Sequence, residues 1–224
     1  YVVGSMLAAG KLKRALLLVG DKSTNPDSKD QGFVVLFGDA GTATALEYDE
    51  AAPAMHFDTY TDGAGYQAIY CPAGGNRMPL RPEHLVPVAG DDGIVRRPID
   101  IVLDGPAILN FSITRIPPAV QALLERSGQP AEGIDFFFFH QANRMINETI
   151  RKKLRLPEAK VPSTLYDFGN TSSASIPVTM VARAADGLRR DGTRILMSGF
   201  GVGLSWASCV AQTQGTAVCD LVEI

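Results

Sequence analysis

Ile134-Asp135-Phe136-Phe137-Phe138-Phe139-His140-Gln141-Ala142-Asn143 is the stretch from which the fold can be read. Five apolar residues in its first six positions, closed by a polar stop, predict a strand buried on both faces of a parallel sheet. The period then changes at once. Ala142, Met145, Ile146, Ile150 and Leu154 recur at helical spacing, with Arg144, Glu148, Arg151 and Lys152 between them. His140 therefore stands at the carboxyl end of a strand, where the chain turns into a helix. Open α/β sheets bind ligands at that edge, which makes a titratable imidazole there a candidate for chemistry.

The composition around this stretch is that of a globular protein. With 224 residues, 46% hydrophobic and 20% charged, the chain can bury the core of one large domain or two small ones. A net charge of −3 gives no electrostatic footprint for nucleic acid. No apolar run approaches the roughly 20 residues that span a bilayer, and the start lacks a signal-peptide layout. The expectations are a cytoplasmic location and neither membrane nor nucleic-acid partners. Cys71, Cys209 and Cys219 are odd in number and show no metal-ligand spacing, so no disulfide framework and no metal site are expected.

Outward toward the N-terminus, Tyr1 to Ala9 reads as the middle of an apolar helix, with the expectation that a preceding piece is absent. Ala15 to Val19 reads as a buried strand ended by Gly20-Asp21, and Asn25-Pro26-Asp27 marks a loop. Phe33 to Phe37 is the next expected strand, Gly38 to Gly41 a tight turn, and Thr42 to Leu46 a returning strand. Residues 51–104, rich in Pro and Gly, read as a loop-rich excursion over the core, with His56 and His84 on its surface. Residues 105–127 form a helical stretch predicted to break at Pro117-Pro118 and to close at Gly128. Beyond Pro157, serine caps announce a helix over 174–190, with Pro177 tolerable in its first turn. Thr193 to Ser198 and Leu204 to Ala211 read as strands joined by the glycine turn Gly199-Phe200-Gly201-Val202-Gly203, with Trp206 in the core. The C-terminal order helix-strand-helix-helix-strand-strand resembles the first forty-odd residues extended at both ends, which suggests an internal duplication.

His140 and Asn170 each occupy a junction beside a helix start, and the glycine turn offers backbone N–H groups free of side-chain obstruction. Together such groups can hold a carbonyl oxygen that becomes negatively charged. No nucleophile accompanies them: no cysteine lies in a strand-to-helix junction, and no serine sits in a Gly-x-Ser-x-Gly elbow. On the residues alone, an oxyanion-stabilising site and a core histidine with two capping motifs both remain open.

Larger segments narrow the choice. His140-Gln141-Ala142-Asn143, Gly169-Asn170-Thr171-Ser172-Ser173-Ala174-Ser175-Ile176-Pro177 and Gly199-Phe200-Gly201-Val202-Gly203-Leu204-Ser205-Trp206 resemble the three C-terminal signatures of the 3-oxoacyl-acyl carrier protein synthase III family, in the thiolase-like superfamily. Phe37-Gly38-Asp39-Ala40-Gly41 and Pro72-Ala73-Gly74-Gly75-Asn76-Arg77-Met78-Pro79 are similar to further family segments. The resemblance implies an α/β fold, the duplicated five-layer α-β-α-β-α thiolase-like arrangement, here without its N-terminal part. Residues 1–50 would be the end of the N-terminal half, 51–104 a loop-rich connection and 105–224 the C-terminal half.

The resemblance also implies a Cys-His-Asn triad whose Cys lies upstream of Tyr1, with His140 and Asn170 as its other members. A thiolate at a helix N-terminus would take up an acyl group from a thioester. His140 and Asn170 would then stabilise the enolate of a decarboxylating malonyl thioester, with the Val202 N–H in the oxyanion hole. By the same resemblance, Asn143, Phe200, Gly201 and Gly203 are substrate-binding, and Arg144, Arg151 and Lys152 form a rim, extended by Lys153, for an acidic carrier protein. The substrates would be pantetheine thioesters of coenzyme A or acyl carrier protein, in fatty acid or polyketide biosynthesis, with no cofactor and a homodimeric assembly. Two departures bear on this. Val202 replaces the Gly or Ala common in the glycine turn, where positive φ would be costly for a β-branched residue. Gln31 stands where an arginine often grips the coenzyme A nucleotide. The alternatives are a non-catalytic fragment or subunit of a thiolase-like dimer, or an ester- or amide-forming acyltransferase. The 224 residues alone are expected to be inactive.

Overall fold

The computed structural model describes residues 1–23, 34–90 and 93–223. In chain order its main elements are helix α1 (Val2–Ala8), strands β1 (Arg14–Asp21), β2 (Ala40–Glu47) and β3 (His56–Thr61), helix α2 (Gly105–Ser127), strand β4 (Phe136–Phe139), helices α3 (Arg144–Lys153), α4 (Leu165–Phe168) and α5 (Ser175–Leu188), and strands β5 (Arg194–Gly201) and β6 (Ser205–Gln212). Among the described residues, no helix is long and apolar enough to cross a membrane.

The phenylalanine run forms β4, one edge of a four-stranded sheet of order β3-β6-β5-β4. Only the β4–β5 pair is parallel, with Phe136 opposite Ile195 and Phe139 opposite Ser198. β6 runs antiparallel to both of its neighbours, β5 and β3, and a short turn can join β5 to β6 only in that sense. Side chains alternate across β4. Phe137 and Phe139 meet Ile116, Val120 and Leu123 of α2 and Ile146 and Ile150 of α3, whereas Phe138 packs with Ala184 and Leu188 of α5 and Cys209 of β6. Phe137, Phe138 and Phe139 are fully buried. Each such burial is worth about 1.5–3 kcal/mol, so the sheet is pinned where β4 ends.

Helix α2 starts at Asp104, whose carboxylate accepts the Ala107 N–H, and ends at Gly128 in the left-handed conformation. The break expected at Pro117-Pro118 does not occur, and the helix runs through both prolines. Two prolines remove two ladder donors, at about 3 kcal/mol or more each. Ile116, Val120 and Leu123 are wholly buried on this face, and that packing outweighs the loss.

Three further expectations need correction. Residues 56–61, assigned to the loop-rich excursion, are β3: the β-branched and aromatic run His56-Phe57-Asp58-Thr59-Tyr60-Thr61 extends the main sheet along β6. His56 and His84 are accordingly half-buried rather than on the surface, with His84 Nδ1 accepting the Arg81 N–H in a short turn. The strand expected over 33–37 is absent where described: Val34 to Leu36 turn, and Phe37 makes an isolated parallel bridge to Asn170. Phe33, Gln31 and the Asn25-Pro26-Asp27 loop lie outside the described residues. β1 is a strand as expected, but not a buried one. It pairs antiparallel with β2, from Arg14 opposite Glu47 to Asp21 opposite Ala40, and leaves Leu16 and Leu18 62% and 67% exposed.

Candidate active site

His140 is the first residue past β4. Its N–H donates to the Ser198 carbonyl (2.9 Å), carrying the β4–β5 ladder one step further, and its own carbonyl accepts from Ala142 N–H (2.9 Å) and Asn147 Nδ2 (3.1 Å). This reversal turns the ring away from the strand. The ring stands edge-on to Phe200, with centroids 5.4 Å apart at 86°, and its Nδ1 lies 2.7 Å from the Ser175 hydroxyl. His140 keeps partial solvent exposure while protein atoms surround most of it. Burial pulls its pKa down to about 4, opposed by the Ser172 backbone, so the imidazole is neutral near pH 7.

Asn170 follows α4 in a loop that crosses the segment Leu36 to Gly38. The Asn170 N–H donates to the Leu36 carbonyl (2.9 Å), and Gly38 N–H donates to the Asn170 carbonyl (3.0 Å). Two glycines permit this crossing. A Cβ on Gly38 would overlap the Phe168 carbonyl oxygen, and one on Gly169, at φ +64°, would lie 2.8 Å from the Leu36 oxygen. The buried side-chain amide is oriented by its partners: Oδ1 accepts the Ser172 N–H (2.9 Å) and Nδ2 donates to the Ala142 carbonyl (3.4 Å). Asp21, at the end of β1, accepts from both the N–H (3.1 Å) and hydroxyl (2.5 Å) of Ser173. Those bonds hold its carboxyl below the usual carboxylate range.

The two residues are neighbours through the Ser172 backbone and the segment that follows His140. Asn170 Nδ2 reaches the carbonyl two residues beyond His140, and the Ser172 backbone touches the environment of both side chains. Gln141 braces this corner from behind. It is 1% exposed, donates from Nε2 to the Phe139 carbonyl (2.8 Å), and accepts at Oε1 from the Ser163 hydroxyl (2.8 Å) and Thr164 N–H (3.1 Å).

Phe200 is buried near the end of β5 and is the aromatic wall against His140. A Cβ on Gly201 would meet no atom within 4 Å, so the backbone there faces open space. Val202 is 64% exposed, and positive φ falls at Gly203 (139°) instead, which removes the strain expected of a β-branched residue in this turn. Asn143 caps α3, its Oδ1 accepting the Ile146 N–H (2.8 Å). Arg144 and Lys152 are exposed on α3. Arg151, expected in the same rim, is turned inward: it pairs with Glu148 (2.8 Å) and donates to the Leu156 carbonyl (2.9 Å), so the exposed positive face is Arg144, Lys152 and Lys153. Trp206 stacks on Tyr60 and packs against the core cluster.

Neither Cys71 nor Cys209 is an activated thiol. Cys209 is buried in apolar surroundings that push its pKa up to about 12, and burial with nearby Asp100 raises that of Cys71. Among the described residues, no group of three metal-ligating side chains converges. Ser175 escaped the sequence reading, which took the serines of this motif as helix caps. Helix α5 has no side-chain cap bond; its Ser175 hydroxyl faces His140 instead, a contact across 35 positions that no local pattern announces.

Comparison with known proteins bears on this arrangement. The sequence profile of 3-oxoacyl-[acyl-carrier-protein (ACP)] synthase III matches residues 1–63, and that of the same family's C terminal matches residues 124–213. Beta-ketoacyl-[acyl-carrier-protein] synthase III of Synechococcus sp. (strain WH7803) is 33% identical over 210 residues, covering 93% of this chain and 60% of the relative. The chain thus spans about 60% of the length of the curated relatives it matches. A solved 3-oxoacyl-(acyl-carrier protein) synthase from Burkholderia xenovorans LB400 superposes with a TM-score of 0.87 at 35% identity, over 98% of this chain and 61% of its own. The synthase III of Thermus thermophilus gives 0.78 at 29% identity, over 95% and 63%. The fold shared with these structures is thiolase-like.

Proposed function

The chain belongs to the 3-oxoacyl-[acyl-carrier-protein] synthase III family, and we propose that it carries the decarboxylating half of a condensing site. In this reading a cysteine outside the 224 residues is the nucleophile. Its thiolate attacks an acyl thioester, forming an acyl–S bond and expelling the carrier thiol. A malonyl thioester then binds with its thioester carbonyl oxygen toward His140 Nε2 and the second Asn170 Nδ2 proton. Loss of carbon dioxide leaves its electron pair on the enolate, whose oxygen those two N–H groups stabilise. The enolate carbon attacks the acyl carbonyl, a carbon-carbon bond forms, and the cysteine thiolate leaves. A backbone N–H at Val202 contributes to the oxyanion hole for that second attack.

One observation carries the reading: the His140 ring, neutral with its pKa near 4, and the Asn170 amide, oriented by Ser172 and Ala142, are neighbours. A neutral imidazole suits a hydrogen-bond donor to an oxyanion better than a proton carrier. Asn143, Phe200, Gly201 and Gly203 line the approach for the pantetheine arm, and Arg144 with Lys152 offers positive charge to an acidic carrier protein. Homodimer formation, an acyl carrier protein or coenzyme A partner, and a role in fatty acid synthesis belong to the same proposal.

The test is turnover of acyl-coenzyme A and malonyl carrier protein, with the product identified by mass and carbon dioxide release followed. A 3-oxoacyl product is expected of the full-length protein, with iodoacetamide abolishing turnover by labelling a cysteine other than Cys71, Cys209 or Cys219. Ester or amide formation without carbon dioxide release would replace condensation by simple acyl transfer.

A further inference from the structure

We propose that Ser175 is the positioning residue that fixes the ring proton of His140 on Nε2; the inference deepens, and for its catalytic consequence rests on, the donor role proposed for His140. The argument is one of hydrogen-bond satisfaction. Ser175 is 1% exposed, and its hydroxyl oxygen lies 2.7 Å from His140 Nδ1 and receives the Gln141 N–H at 3.3 Å. A hydroxyl has one proton to give and two acceptor sites. With one acceptor site on Gln141, the geometry offers Nδ1 as the destination of the hydroxyl proton. Were Nδ1 protonated instead, Ser175 would receive two N–H groups and keep a buried proton without an acceptor, a costly arrangement.

The Ser175 backbone is held on both sides. Its N–H donates to the Ser172 carbonyl, and its carbonyl accepts the Thr179 hydroxyl (2.8 Å), which also meets the Thr164 hydroxyl (2.8 Å). Thr164 is in turn tied to Gln141, the neighbour of His140. The first turn of α5 is thus bolted to the end of β4, with the hydroxyl held against the ring. The Ser172 carbonyl, the other acceptor beside the ring, takes the Ser175 N–H on one of its two lone pairs. The consequence is chemical: Nε2 presents a proton to the substrate oxygen and cannot serve as a base.

The tautomer is read directly by long-range proton–nitrogen spectra of histidine-labelled protein at pH 7. The three histidines, His56, His84 and His140, are assigned with His140→Gln. The expected spectrum has Nε2 protonated and Nδ1 unprotonated and hydrogen-bonded. In Ser175→Ala both nitrogens move toward the average of the two tautomers, and Ser175→Thr restores the original positions. A protonated Nδ1 in the unaltered protein, or an unchanged tautomer in folded Ser175→Ala, overturns the proposal; if Ser175→Ala fails to fold, the unaltered protein and Ser175→Thr decide. In turnover, Ser175→Ala lowers kcat about tenfold with KM unchanged, and Ser175→Thr recovers it. The spectrum stands apart from activity. An Nε2–H tautomer dependent on Ser175 in a protein without acyl-transfer activity would defeat the synthase reading alone, and a condensing enzyme with Nδ1–H would defeat this one alone.

Discussion

Two hairpin-like pairs of strands in this protein have similar sequence texture and opposite fates. β1 and β2 pair antiparallel, as do β5 and β6, and each first strand carries a run of large apolar residues. In β5, Ile195 and Leu196 are 5% and 0% exposed; in β1, Leu16, Leu17 and Leu18 are 62%, 41% and 67% exposed. The difference lies in the neighbours. β5 and β6 are flanked by β4 and β3 and covered by α2 on one face and α5 on the other. β1 and β2 form a two-stranded sheet that meets chiefly α1, the Ser172–Ala174 turn and, through β2, helix α5, with no second sheet neighbour among the described residues. An apolar run therefore specifies a strand, while burial depends on what the rest of the chain brings to it.

The sharpest test of this contrast is a pair of truncations. Leu196→Ala removes a wholly buried side chain and is expected to cost about 2–5 kcal/mol in urea unfolding. Leu18→Ala should stay within about 0.5 kcal/mol, because its side chain is two-thirds exposed. Equal costs at both positions would mean that β1 is covered in solution.

Acid acts differently on the two sheets. His140, at the end of the buried one, has its folded pKa lowered from 6.5 to about 4. The unfolded chain therefore binds the extra proton first. The stability this group contributes is complete above pH 6.5 and is lost as pH falls toward 4, a total on the order of 3 kcal/mol. Comparing unfolding at pH 7 and pH 4.5 for the unaltered protein and His140→Gln should show that slope only in the former. Asp21, at the end of the exposed sheet, has a lowered pKa, so its contribution is present above about 3.8 and disappears only as pH falls further.

A smaller effect is expected where the exposed sheet touches the site. Asp21→Ala removes the carboxylate oxygen that accepts both Ser173 bonds and loosens the Asn170 loop, lowering turnover about three- to tenfold with a stability loss of about 1 kcal/mol, limited by solvent exposure. Unchanged kinetics would show that Gly38 and Leu36 hold the loop unaided.

These differences also mark what could be read from the residues. The phenylalanine run, the junction at His140 and the helix after it follow from local period, and so do β5 and its antiparallel partner β6. Pro117 and Pro118 misled because local cost was weighed without the packing of Ile116 and Val120. β3 was hidden by surrounding Pro and Gly, although two threonines, a phenylalanine and a tyrosine among its six residues favour a strand. The corner that unites His140 and Asn170 was legible only through resemblance, since its geometry depends on two glycines passing each other at 38 and 169 and on a serine 35 positions from the histidine. Contacts of that range are properties of the assembled chain.

The most direct test of convergence between His140 and Asn170 is a double-mutant cycle on malonyl thioester decarboxylation. His140→Ala and Asn170→Ala should each reduce the rate by about 10²–10³, and the double variant should fall little below the worse single one, because two donors that serve one oxygen fail as a unit. Losses that multiply in full, or a single variant that keeps its rate, would mean that the imidazole and the amide do not act on the same atom.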